Sequence, residues 1–173
     1  MNDHVILVDE QDNPIGFTEK MNAHEKAALH RAFSVVILNS RGEMLLQQRA
    51  YQKYHSGGLW SNACCSHPRP DEDIEQAAHR RLQEEMGFDC SLAEIHQFIY
   101  YVELDNNLTE HEFDHVFLGT YDGDIEINRE EAHDFRWMAI QELTHDMENN
   151  PDIYTQWFKI LFNHLRDSDK LPR

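Results

Sequence analysis

The sequence predicts an α+β fold built on a mixed β-sheet. Short apolar runs of strand character recur in both halves of the chain, one strongly patterned helix interrupts them, and two helical stretches close the C-terminal end. Nothing reads as a linker, a repeat or a low-complexity tract, so the 173 residues are expected to form one domain spanning residues 1–173.

Taken in order, His4-Val5-Ile6-Leu7-Val8 is a short strand, Asp12-Asn13-Pro14 a turn, and Ile15 to Thr18 a returning strand. Asn22 to Leu29 has mild helical propensity but is too short to predict a helix. Arg31 to Asn39, carrying Phe33-Ser34-Val35-Val36-Ile37-Leu38, reads as a buried strand. Ser40-Arg41-Gly42 then turns the chain, and Glu43 to Gln48 reads as the hairpin partner. A polar loop runs from Tyr51 to Gly58. Asp71 to Met86 is the clearest helix: Asp71 or Asp73 can cap its start, and Gly87 sits where a C-terminal stop belongs. Phe98 to Leu104 and Glu110 to Thr120 read as a hairpin around Asp105-Asn106-Asn107, and Phe135 to Met138 as the last strand. Helices follow near Ile140 to Asp146 and from Pro151 to Asp167, the second entered through Asn150-Pro151.

Fifteen Lys and Arg against thirty-two Asp and Glu leave a net charge of −17. A field of that sign repels phosphate backbones and anionic lipid, so neither nucleic acid nor a membrane surface is an expected partner. No apolar stretch approaches the roughly 18 residues of a membrane span and no leader pattern opens the chain, so a soluble, cytoplasmic protein is expected. Cys64, Cys65 and Cys90 are no disulfide framework and are expected as free thiols. Twelve histidines beside the acidic excess can supply ligands for a divalent cation.

On a helical wheel Ile74, Ala77, Ala78 and Leu82 define one apolar stripe, and Arg81 and Glu85 fall inside it. As an exposed i, i+4 ion pair these two would contribute a few tenths of a kcal/mol. On a core-facing side they cost several kcal/mol unless paired, and a metal ion or anionic ligand would resolve the conflict. Both readings stay open from the residues alone.

The segment Ser66-x5-Glu72-x7-Arg80-Arg81-Leu82-Gln83-Glu84-Glu85-Met86-Gly87-Phe88 resembles the Nudix box, in which a helix presents carboxylates to metal ions holding a diphosphate. Two positions depart from it. Ser66 replaces the first glycine, which leaves open the path of the Cys65 carbonyl, and Arg81 replaces the metal-binding, water-activating glutamate. A permanent cation there removes the group that helps make hydroxide but keeps affinity for diphosphate.

Further motifs resemble one branch of that superfamily, the type I isopentenyl-diphosphate Δ-isomerases. These are Glu19-Lys20-x3-His24, Leu29-His30-x2-Phe33, Gln48-Arg49-Ala50, Gly58-x-Trp60-x-Asn62, Cys65-x-His67-Pro68 and Glu110-x-Glu112. The similarity runs from the first strand to Trp157. It implies a Nudix-like mixed β-sheet sandwiched between helices. The implied reaction interconverts isopentenyl and dimethylallyl diphosphate through a tertiary carbocation. A Nudix pyrophosphohydrolase and a non-catalytic diphosphate- or metal-binding protein are the alternatives.

Glu110, Glu112 and Asp114 share one face of their strand, which without the resemblance reads as a solvated face. The resemblance instead implies that His24, His30, His67, Glu110 and Glu112 ligate one divalent ion (Mn²⁺, Mg²⁺ or Zn²⁺). It further implies that Glu85, with the Cys65 carbonyl nearby, serves a Mg²⁺ bound with the substrate diphosphate. Lys20, Arg49, Lys53 and Arg81 would neutralise that diphosphate, and Trp157 would lay its indole against the cationic carbon. Cys65 and Glu112 would handle protons on opposite faces, with Tyr100 relaying to Glu112; a one-residue slip would substitute Tyr101. His55, His96, His133, His145 and His164 match no motif and are expected to be ordinary surface residues.

Overall fold

A computed structural model describes residues 3–172. Strands His4–Val8 (β1) and Pro14–Glu19 (β2) form a hairpin closed by Asp9, whose Oδ1 accepts from the backbone N–H of Gln11 and Asn13, both at 2.9 Å. Helix Lys20–Lys26 (α1) follows, then strands His30–Leu38 (β3), Glu43–Arg49 (β4), Trp60–Asn62 (β5) and Cys64–Ser66 (β6). Helix Ile74–Met86 (α2) precedes the long strands Leu92–Glu103 (β7) and Thr109–Thr120 (β8), and Ala132–Ala139 (β9) is the last strand. Helices Ile140–Asn149 (α3) and Gln156–Asp167 (α4) end the chain.

The sheet is mixed. β3 runs parallel to β8 over nine residues, His30 opposite Glu112 through Leu38 opposite Thr120, while β6 lies antiparallel along its other edge. With both edges taken, β3 meets β4 only where Leu38 faces Met44. The expected hairpin is therefore confined to its turn, and β4 pairs instead with β5 and β9. The short β5 and β6 were not predicted, because three-residue strands are too brief to show a period.

Side chains of β3 alternate between two buried layers, as the pleat requires. Phe33, Val35 and Ile37 pack with Ala77, Ala78, Leu82 and Met86 of α2. Val36 and Leu38 pack on the opposite side with Leu143 of α3 and Phe158, Leu161 and Phe162 of α4. Helices thus cover both faces, the sandwich that the resemblance implied.

The helix ends follow from local chemistry. Asp73, not Asp71, caps α2, accepting from the N–H of Glu75 and Gln76. Thr155 caps α4, so the stretch predicted from Pro151 is a separate 3-10 turn, Pro151–Ile153. α1 forms despite its weak propensity because Ala23 and His24 are buried. Gly87 ends α2 at φ 74°, and a Cβ there would lie 2.2 Å from the Glu126 carbonyl oxygen. Gly87→Ala is expected to destabilise by more than about 1 kcal/mol, read as a lower urea midpoint with an unchanged slope. Among the described residues no helix is long and apolar enough to cross a membrane.

Candidate active site and divalent-ion centre

Three imidazoles and two carboxylates from distant parts of the chain meet at one end of β3. His24 leaves the last turn of α1, and the left-handed Ala27 (φ 54°) bends the chain so that His30 opens β3 with its ring 5.4 Å from that of His24. His67 directly follows β6, its ring 4.9 Å from His30 and 6.0 Å from His24. Glu110 and Glu112 alternate along β8 and so leave the same face. One ligand atom each from His24, His30, His67 and Glu110 lies within 4.8 Å of all the others. Glu112 joins them: its Oε2 is 2.8 Å from His67 Nε2 and 3.2 Å from His30 Nε2.

The cluster fits a divalent cation. His24 Nε2 and Glu110 Oε2 are buried with no hydrogen-bond partner, and the Nε2 atoms of His30 and His67 face each other at 3.2 Å. Buried polar atoms are rarely left without a partner, and a cation would satisfy the first two and separate the facing second two. The far nitrogens are anchored, His30 Nδ1 on the Ala28 carbonyl at 2.9 Å and His24 Nδ1 on that of Thr109 at 3.3 Å. Such anchors fix the ring orientation of metal-binding histidines. Burial first, then His67, lowers the His24 pKa to about 4, so this ring is a neutral donor near pH 7.

A narrow cleft opens over the cluster. Cys65, Glu112, Tyr100 and Trp157 line its floor and walls, and Lys20, Arg49, Lys53, Arg81 and Glu85 line it as well. The Cys65 thiol donates to Asn62 Oδ1 at 3.0 Å and lies 3.5 Å from Ser34 Oγ, which donates to Asp114 Oδ2 at 2.7 Å. Burial and the Asp114 carboxyl push the thiol's pKa well up, so it keeps its proton. Burial alone would also raise Glu112, but the rings of His67 and His30 overcome it and hold this carboxyl well below its usual range. The Tyr100 hydroxyl donates to Glu112, directly across the β7–β8 ladder, whereas Tyr101 points away and is 55% exposed. Ser66 needs no glycine-like backbone: it lies in β6 opposite Phe33 and has no positive φ.

At the α2 end Arg81 Nη2 lies 3.5 Å from Glu85 Oε1 and 3.4 Å from Glu131 Oε1, and Glu131 also pairs with Lys53. Burial works against the Arg81 charge, yet Glu85 and the neighbouring Cys64 and Glu131 outweigh it and raise its pKa. The Cys64 thiol donates to Glu85 Oε2 at 2.6 Å. Arg80 is turned aside and held by Glu72 through two hydrogen bonds of 2.6 and 2.7 Å.

Comparison with known proteins shows the family. Residues 28–158 match the NUDIX domain. The chain is 50% identical over 169 residues to isopentenyl-diphosphate Delta-isomerase 2 of Photorhabdus laumondii, covering 98% of this chain and 96% of that protein. It is 51% identical over 163 residues to isopentenyl-diphosphate Delta-isomerase of Pectobacterium atrosepticum, covering 94% and 91%. The chain belongs to the isopentenyl-diphosphate Δ-isomerase family of NUDIX-domain proteins. Its fold is similar to a crystal structure from Deinococcus radiodurans, with a TM-score of 0.76 at 17% identity over 95% of this chain and 98% of that one. A MutT protein from Methanosarcina mazei aligns at a TM-score of 0.67 and 20% identity, over 82% of this chain and 96% of that one.

This member of the isomerase family carries site residues that its sequence did not single out. His55, expected at the surface, is 4% exposed and lines the cleft, because the loop after β4 folds its ring inward against Trp157. Tyr54 and Glu131 also line the cleft, and Ser34 contacts the Cys65 sulfur together with Asn62, which the Gly58-x-Trp60-x-Asn62 motif had marked without a role. The only signal for Ser34 was a polar residue inside the apolar run Phe33 to Leu38. Glu131 gave none, being one acid among many.

Proposed function

We propose that this chain is an enzyme interconverting isopentenyl diphosphate and dimethylallyl diphosphate in isoprenoid precursor biosynthesis. The observation that carries this reading is that a thiol and a carboxylate, Cys65 and Glu112, line one cleft that four cations also line, with burial pushing the thiol's pKa up and the His67 and His30 rings holding the carboxyl's down. The reaction adds a proton to the terminal alkene carbon and removes a different proton from the neighbouring CH₂. It therefore needs two groups in opposite protonation states. Arg81, standing where a hydrolase presents glutamate, supports binding of the diphosphate without its cleavage.

In this reading Lys20, Arg49, Lys53 and Arg81 hold the diphosphate, Arg through its planar fork. Cys65 and Glu112 give and take the two protons, and Tyr100 donates to Glu112 to steady the carboxylate. The Trp157 indole, 5% exposed and facing the cleft, stabilises the tertiary cation by roughly 2 kcal/mol or more and helps exclude water. Most of the barrier reduction, about 8 kcal/mol or more for enzymes generally, must then come from proton placement. His24, His30, His67, Glu110 and Glu112 would hold one divalent ion (Mn²⁺, Mg²⁺ or Zn²⁺). Glu85 and the Cys65 carbonyl would hold a Mg²⁺ that arrives with the substrate. When bound, these ions supply positive charge that holds the buried carboxylates in place and offsets the diphosphate. In this reading the chain is a single-domain, cytoplasmic enzyme acting on a small molecule.

Proton NMR of isopentenyl diphosphate incubated with the protein and Mg²⁺ tests the reaction. The allylic methyl signals of dimethylallyl diphosphate are expected, with deuterium entering the product in D₂O. Release of phosphate would instead support a pyrophosphohydrolase, and an unchanged spectrum a binding protein. Glu131 pairs with two of the four cations and so competes with the incoming anion. Glu131→Gln is expected to lower KM for the diphosphate by roughly threefold, about 0.6 kcal/mol, at low ionic strength and less in high salt.

A further inference from the structure

His55 has no place in the roles assigned above, yet it lines the cleft between the Trp157 indole and the Glu110 carboxylate. Its ring stands edge-to-face with Trp157, centroids 5.5 Å apart and planes at 89°, and meets Tyr54 at 4.5 Å and 86°. Its Nε2 lies 3.6 Å from Glu110 Oε1, while Glu110 Oε2 is buried without a hydrogen-bond partner. Its Nδ1 is 3.2 Å from the Ser56 hydroxyl.

The backbone behind the ring is fixed as well. The His55 carbonyl accepts from Arg49 Nη2 at 3.3 Å, and the Arg49 guanidinium lies 5.0 Å from the centre of the Trp157 ring. Ser56 is buried and left-handed at φ 54°, a conformation that costs energy for a residue with a Cβ and persists only where the surroundings impose it. Gly57 packs so closely that a Cβ would lie 2.5 Å from the Tyr51 carbonyl oxygen. This loop places the imidazole deliberately rather than leaving it to solvent.

We infer that His55 is a positioning residue that holds the Trp157 indole toward the cleft and steadies Glu110 with one carboxylate oxygen free for the divalent ion. Edge-to-face contact sets the tilt of one aromatic ring against another. A nitrogen beside one carboxylate oxygen orients the other, the usual way in which an outer residue tunes a metal ligand. The inference rests on the isomerase reading above.

Two variants separate the two contacts. His55→Phe keeps a ring against Trp157 and removes the nitrogen beside Glu110; His55→Gln keeps a polar donor and removes the ring. Calorimetry would measure Mn²⁺ binding to the ion-free protein. It would also measure binding of a diphosphate bearing an ammonium nitrogen in place of the cationic carbon, with inorganic pyrophosphate as control. His55→Phe is expected to weaken Mn²⁺ binding about tenfold and to leave the ammonium compound within about twofold. His55→Gln is expected to do the reverse, weakening the ammonium compound about tenfold. Wild-type affinities in both variants would overturn the inference. So would an equal loss of all three ligands with a lowered melting temperature, which assigns His55 to folding alone. Wild-type turnover of isopentenyl diphosphate is the control for the underlying reading: its absence defeats that reading, whereas normal turnover with unaltered variants defeats only the role of His55.

Discussion

Cys65→Ala is expected to lower turnover of isopentenyl diphosphate by about 10³-fold or more, in the range lost when a general acid–base group is removed. The sulfur sits on β6, which is paired to β3, so the mutation deletes a proton carrier without moving the strand that bears it. Cys65→Ser should be nearly as inactive, since in the same surroundings a hydroxyl is a much weaker acid than a thiol and gives up its proton far less readily. The lost sulfur contacts should shift the melting temperature by only about 2–4 °C, the equivalent of 1 kcal/mol in a chain of this size. Steady-state kinetics and a thermal melt decide it, and turnover within about tenfold of wild type would remove Cys65 from the mechanism.

Glu112→Gln should be as damaging, for a separable reason. Glu112 contacts His30, His67 and Tyr100, whereas Glu110 is the carboxylate beside His55. If Glu112 both ligates and transfers protons, excess Mn²⁺ should restore Glu110→Gln in part but leave Glu112→Gln inactive by about 10³-fold or more. Equal rescue of the two variants would reduce Glu112 to a ligand. The comparison is internal, because both side chains are buried and alternate on one strand.

Much of this was legible in the sequence because it is written in period and order. The α2 stripe, the capping acid, Gly87 and the alternation Glu110, Glu112, Asp114 follow from local geometry, and each stands where that geometry requires. The misplaced charges of α2 were also informative, since Arg81 and Glu85 do face the cleft. What local rules missed is tertiary. α1 exists because His24 and Ala23 are buried, β4 leaves β3 because both edges of β3 are taken, and His55 turns inward because a loop of unusual backbone directs it. From sequence alone the three clustered histidines were tied together only by resemblance, because a left-handed bend at Ala27 and a strand pairing across the chain bring them together.

The nine-residue parallel register between β3 and β8 joins the two halves of the chain and sets His30 opposite Glu112. Sliding that alignment by a single position would turn all three β8 carboxylates to the reverse side at once. Enzymatic competence is therefore an all-or-nothing report on long-range strand alignment. During renaturation, recovered turnover should lag behind recovered helical signal, since distant pairings of this kind are the slow events of folding.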